Sequence, residues 1–130
     1  MVKEVAVTSR SREQLINVDA TLREFVAESG VQEGVLSVFV PHTTAGVTIN
    51  ENADPTVVQD VLATTRSLVP ERGNYRHAEG NADAHVKASL FGSHQSVIVR
   101  GGKPVLGTWQ SVFFCELDGP RSRRMVLHIG

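Results

Sequence analysis

The residues best suited to chemistry lie in one polar stretch, Asn74-Tyr75-Arg76-His77-Ala78-Glu79-Gly80-Asn81-Ala82-Asp83-Ala84-His85. It holds two imidazoles and two carboxylates. It neither alternates like a half-buried strand nor carries an apolar helical stripe before about Asp83. A compact domain rarely keeps a loop this long unless the loop has a use or is disordered. Histidine changes charge near neutral pH and is the commonest metal ligand. His77 and His85 therefore suggest proton transfer or metal binding, with Asp83 or Glu79 as the acidic partner. The competing reading is a solvated surface loop.

Other candidates sit at strand ends. His42, Thr43 and Thr44 follow an apolar run and offer an imidazole, two hydroxyls and turn amides, a set that can bind an anion. Glu51 lies just past a second short strand, where functional side chains gather. Arg121, Arg123, Arg124 and Lys87 are candidate phosphate contacts, because guanidinium forks match phosphate oxygens. The arginines read equally well as a solvated hairpin rim. Carboxylates such as Glu51, Glu79 and Asp83 suit Mg²⁺, whereas His77 and His85 suit Zn²⁺ or Ni²⁺. The spacing of His77 and His85 is not a standard zinc signature. His42, His77 and His85 serve equally as acid–base groups.

These residues need a scaffold. The chain has 130 residues, enough for one domain spanning residues 1–130 with its own core. Hydrophobic residues make up 41%, charged residues 21%, and the formal net charge is −1. Without a basic excess there is no case for nucleic acid, and no apolar run approaches a membrane span. Cys115 is the sole cysteine. It cannot form an internal disulfide, and a reducing cytoplasm is the expected compartment.

Residues 2–8 alternate as an edge strand, with residues 14–18 as the expected hairpin partner. Asp19 is the expected cap of a helix carrying Leu22, Phe25 and Val26, and Gly30 stops it. Residues 34–40 read as a strand buried on both faces. Asp54-Pro55 starts a second helix with Val57, Val58, Val61, Leu62 and Leu68 along one stripe. A short helix follows the polar loop, expected to be capped by Asp83 with Val86 and Leu90 inward. Residues 95–100 form a hairpin through Gly101-Gly102-Lys103, and two more strands close the chain. Trp109 is the expected core or interface anchor, and Cys115 an inert small hydrophobe. The pattern predicts an α+β domain, an antiparallel two-sheet β-sandwich with two main helices.

Six segments in order carry a resemblance: His42-Thr43-Thr44-Ala45, Asn50-Glu51-Asn52-Ala53-Asp54-Pro55, Asn74-Tyr75-Arg76-His77, His85-Val86-Lys87-Ala88-Ser89, Gly107-Thr108-Trp109-Gln110 and Arg121-Ser122-Arg123-Arg124. Together they resemble the YjbQ family, whose members are named secondary thiamine-phosphate synthases. The resemblance implies a jelly-roll-like sandwich and a homotrimer with pockets at the subunit interfaces, lined by these motifs. It also implies a phosphorylated small-molecule substrate. Joining a pyrimidine methyl diphosphate to a thiazole phosphate requires neutralised phosphates and a divalent cation at the leaving diphosphate. Under that reading His42, Glu51, His77 and His85 are catalytic. Thr43, Thr44, Lys87, Arg123 and Arg124 bind phosphate, and His77, His85 and Asp83 hold any metal. The alternatives are a metal-dependent hydrolase or lyase and a non-catalytic binding trimer.

Overall fold

A computed structural model describes residues 1–130. The strands are β1 (Val2–Thr8), β2 (Gln14–Asn17), β3 (Glu33–Phe39), β4 (Ala45–Glu51), β5 (His94–Arg100), β6 (Lys103–Pro104), β7 (Gln110–Glu116) and β8 (Ser122–Ile129). The helices are α1 (Asp19–Ser29), α2 (Pro55–Leu68) and α3 (Ala82–Phe91). One sheet runs β1-β8-β3-β5-β6, the other β2-β7-β4, and every pairing is antiparallel. No helix is long and apolar enough to cross a membrane.

One hydrophobic cluster draws Val7, Leu36, Val38, Val97, Val99, Met125, Leu127 and Ile129 from the larger sheet and Val47, Val112 and Phe114 from the smaller. Leu22, Phe25 and Val26 of α1 join it. Strand alternation explains the selection: β8 buries every second residue from Arg123 to Ile129.

Local signals hold at several points. Gly30 ends α1 at φ 72°, a conformation that costs glycine little. Asp54 accepts the Thr56 amide at 2.9 Å, and Pro55 opens α2. Gly101 and Gly102, both at positive φ, turn β5 into β6.

Elsewhere long-range pairing overrides local expectation. The two main helices and the short third one are all present, but α3, at ten residues, is nearly as long as the eleven-residue α1. Residues 14–17 do not pair with β1; β2 joins β7 in the other sheet while β1 pairs with β8. Asp19 begins α1 without capping it, its carboxylate accepting the Val112 amide at 2.8 Å. Strand β3 is not buried on both faces within one chain, since Val35 and Phe39 point outward. Helix α3 is turned opposite to expectation: Asp83, Ala84, Lys87 and Ala88 face inward, and Val86 and Leu90 are exposed. Asp83 lies inside its first turn, not at the cap, which is Asn81. Trp109 is 63% exposed, so it is no core anchor of this chain.

Candidate active site

Two segments bring imidazoles together. The loop after β3 carries His42 and Thr43, and α3 presents His85 and Ser89 four residues apart on one face. With Ala45, Ala88, Gly92 and Ser93 they line one cleft of ≈ 370 Å³. Close backbone approach shapes its floor: a Cβ on Gly46 would lie 2.6 Å from the Gly92 carbonyl oxygen, which accepts the Val47 amide. His77, on the polar loop between α2 and α3, stands edge-on to His85 with ring centroids 5.0 Å apart. Glu79 is at the outer limit of contact with His77 Nε2, 4.0 Å away.

His42 Nε2 accepts the backbone N–H of Arg124 at 3.0 Å. Partial burial, followed by the positive charge of Arg123, holds the His42 ring below the ordinary imidazole pKa.

Beneath the His42 loop lies a buried ion pair. Arg123 donates to both carboxylate oxygens of Glu116 and, through Nη2, to the carbonyl and hydroxyl oxygens of Thr44. Glu116 also accepts the Ser9 hydroxyl and the amides of Leu117 and Asp118. Burial alone would push the Glu116 carboxyl up, but Arg123 and Ser9 outweigh it and hold it below the usual carboxylate range.

A second ionic cluster lies behind α3. Lys87 donates to Asp83 and Glu13, both at 2.8 Å, and Arg12 donates to both oxygens of Asp83. Arg66 completes the set on Glu13. Asp83 and Lys87 are fully buried. Desolvation opposes the charge of Asp83 and of Glu13, yet their partners hold both below the usual carboxylate range. Desolvation likewise opposes the Lys87 charge, but Asp83 and Glu13 raise it above the ordinary lysine value.

The sequence-derived site is thus only partly assembled. His42, Thr43, His85 and, through His85, His77 come together. Glu51 does not join them within one chain: it ends β4, whose first residue lines the cleft, and strand rise puts the two ends about 20 Å apart. Thr44 is buried and held by Arg123. Lys87 and Arg123 are no free phosphate contacts, since carboxylates inside the fold occupy both. Arg124 is exposed and pairs across the sheet with Glu4. Asp83 is no open metal ligand, because Arg12 and Lys87 take its lone pairs in the interior. No three His, Cys, Asp or Glu side chains cluster as a metal site in this chain. Burial pushes the Cys115 thiol up, away from thiolate chemistry.

Sequence reasoning missed Ser93 as a cleft residue, and Arg12, Glu13, Glu116 and Ser9 as the groups beneath. Glu116 alone carried a clear signal, a carboxylate at the end of an apolar strand that burial would force to find a cation.

Residues 3–130 match the family described as UPF0047 protein YjbQ-like. A UPF0047 protein of Methanocaldococcus jannaschii is 45% identical over 129 residues, covering 99% of this chain and 94% of that protein. The UPF0047 protein YugU of Bacillus subtilis is 44% identical, covering 95% of this chain and 94% of that protein. The crystal structure of an uncharacterised YjbQ/UPF0047 family protein from Clostridium acetobutylicum superposes with a TM-score of 0.97 at 47% identity, covering 98% of this chain and 99% of that one. A YbjQ-like protein of unknown function from Sulfolobus solfataricus superposes at 0.95 with 30% identity, covering 99% and 95%. With the match running nearly from end to end in both sequence and backbone, this chain belongs to the YjbQ/UPF0047 family.

Proposed function

We propose that the chain is a small-molecule enzyme whose substrate is phosphorylated or otherwise anionic and sits in the His42–His85 cleft. One observation carries this reading: two imidazoles arrive from separate segments at one recess that is otherwise lined by hydroxyls and small residues. Thr43 and Ser93 supply hydroxyl donors for an oxyanion, whereas the Ser89 hydroxyl donates to the His85 carbonyl oxygen. His85, with His77 edge-on beside it, is the group placed for proton transfer. Packing of the two sheets as a sandwich is supported by their shared core, and a jelly-roll-like connection of the strands by the family resemblance. Transfer of the thiamine-phosphate synthase type draws its support from the family resemblance.

A divalent metal fits poorly within one chain. His77 and His85 offer two ligands, fewer than the three protein ligands of a catalytic zinc site, and Asp83 is turned into the interior.

Phosphorylated metabolites, thiazole and pyrimidine phosphates among them, should raise the melting temperature of the protein. Saturation at a hundredfold excess over Kd stabilises by about 2.7 kcal/mol. His85→Ala should fold normally, because the residue is only partly buried and lines an open cleft, and should lose the shift. A full panel with no shift in the parent protein, or an undiminished shift in His85→Ala, would overturn the assignment.

The assembled form that best suits the surface is a homotrimer. No residue of α2 is buried, although Val57, Val58, Val61 and Leu62 share its stripe and Leu68 ends it 73% exposed. The outer face of the larger sheet shows Val2, Val35, Phe39 and Ile98. Apolar patches of this kind mark interfaces, and a second copy would also bring groups to a cleft that lacks Glu51. Sedimentation equilibrium should give three times the 14.1 kDa chain mass. A monomer at micromolar concentration would contradict it.

A further inference from the structure

His42 carries more information than its presence in the cleft. An amide nitrogen has no lone pair to offer, so the Arg124 N–H can only donate to Nε2. Nε2 must therefore keep its lone pair, and the single proton of a neutral ring resides on Nδ1. Protonating the ring fully would break the contact and set a second cation beside Arg123, which reaches Thr44 two residues along the same loop. The charged groups facing the ring are Arg123, Arg124 and Glu116; burial and Arg123 favour the neutral form, and Glu116 opposes them.

Nδ1 has no partner inside the chain. Nor is it sealed off, because Asn81 Oδ1 is the one buried side-chain polar atom left without a hydrogen bond. It is therefore open to solvent, on a ring that lines the cleft. Thr43, adjacent in sequence, lines the same cleft.

We infer that His42 is a fixed, neutral hydrogen-bond donor that presents Nδ1–H to an oxygen of a bound oxyanion, and that it is not a general base. A backbone contact that fixes the tautomer does for this ring what an orienting carboxylate does elsewhere. A neutral imidazole held as a donor stabilises charge developing on an oxygen without taking a proton itself. The division of labour follows: His42 polarises, and His85 is left to move protons. This assignment rests on the reading of the cleft as an oxyanion site, and its test has a part that does not.

The independent part is nitrogen NMR of histidine-labelled full-length protein, free of ligand and at neutral pH, with His42 assigned by comparison with His42→Asn. The expected spectrum shows one tautomer, Nδ1 protonated and Nε2 bare. A ring protonated at Nε2, doubly protonated, or averaging between tautomers overturns the proposal. The second part is titration with inorganic phosphate. Asparagine places its amide nitrogen near the Nδ1 position and keeps a donor there; glutamine reaches toward the Nε2 position and leaves none. Phosphate should shift the His42 Nδ1–H resonance. His42→Gln should bind phosphate roughly tenfold or more weakly, the loss of one hydrogen bond to a charged group, while His42→Asn recovers most of that loss. Equal weakening in the two variants overturns the donor role. Failure of the parent protein to bind phosphate overturns the oxyanion reading of the cleft and the donor role with it, leaving the tautomer as a separate structural result.

Discussion

Arg123→Ala should destabilise the protein by about 3–5 kcal/mol, the range for removing one partner of a buried ion pair. The reason lies in what it leaves behind. Glu116 is fully buried, and without the guanidinium its charge keeps only the Ser9 hydroxyl and two amides. Thr44 loses both of its contacts with Arg123, leaving the bond from the Arg124 amide to His42 to seat the loop on β8. For a domain of this size the melting temperature should fall on the order of 10–20 °C. Urea unfolding should show a lower midpoint at an unchanged slope, since the surface exposed on unfolding stays the same.

A double variant, Arg123→Met with Glu116→Leu, separates the charge effect from the hydrogen bonds. Replacing a buried pair with apolar groups of similar volume is often neutral or better. Here recovery should be partial, because the Asp118 amide and the Thr44 hydroxyl lose their partners, while Ser9 and the Leu117 amide keep only longer bonds to the carbonyls of Arg121 and Thr44. A loss below about 1 kcal/mol in Arg123→Ala is the value expected of a solvated pair, and would show that water reaches Glu116.

The same pair shows where the sequence stops being legible. Arg121-Ser122-Arg123-Arg124 reads as three equivalent cations on a hairpin rim. Strand alternation separates them: Arg123 falls on the inward parity with Met125 and Leu127, and Arg124 on the outward one. That parity is readable only once the register of β8 is known, and its partners β1 and β3 lie far away in sequence. The same limit explains β2. A turn of polar residues after β1 suggests a hairpin, but burying Leu15 and Ile16 against Cys115 and Phe114 of β7 is a long-range choice that local pattern does not encode. Features set by chemistry a few residues away were legible: the Asp54-Pro55 helix start, the Gly30 stop and the Gly101-Gly102 turn.

The candidate site divides along the same line. His42 and His85 stand out by residue type, one on a loop and the other on the cleft side of α3, so pattern alone finds them. Glu51 stands out in the same way and lies at the wrong end of β4. Asp83 and Lys87 are four apart, the spacing of a helical ion pair. Nothing in that spacing tells an exposed pair from a buried one. The face of α3 is decided by Arg12 and Glu13, delivered by the β1–β2 connection some seventy residues earlier.

Lys87→Met should be the second large effect, a loss of roughly 3 kcal/mol. It lies at the low end of the range for breaking a buried pair, because Arg12 stays on Asp83 and Arg66 on Glu13. Methionine fills the volume of the stem, so the loss reports charge and not a cavity. The pH dependence distinguishes this from simple misfit. Asp83, Glu13 and Glu116 all sit below the usual carboxylate range in the folded state. Their contribution is fully present above the unfolded carboxylate pKa of about 4 and is lost as pH falls through the folded values. Lys87 sits above its ordinary value, so its contribution is present below the unfolded lysine pKa and is lost as pH rises through the folded one. The parent protein should therefore lose stability at both edges. Removing Lys87 lets the folded Asp83 and Glu13 values climb toward the unfolded ones, so fewer protons are taken up on acid unfolding. In Lys87→Met the urea midpoint should vary less between neutral and acid pH than in the parent, and the alkaline fall should shrink. His85 gives the functional readout. It shares α3 with the Asp83–Lys87 pair but points to the cleft, so ligand-induced stabilisation should weaken in Lys87→Met even where the variant is fully folded. Parallel pH curves for the two proteins would show that Lys87 does not set the ionisation of its neighbours, and the electrostatic account of this cluster would fail.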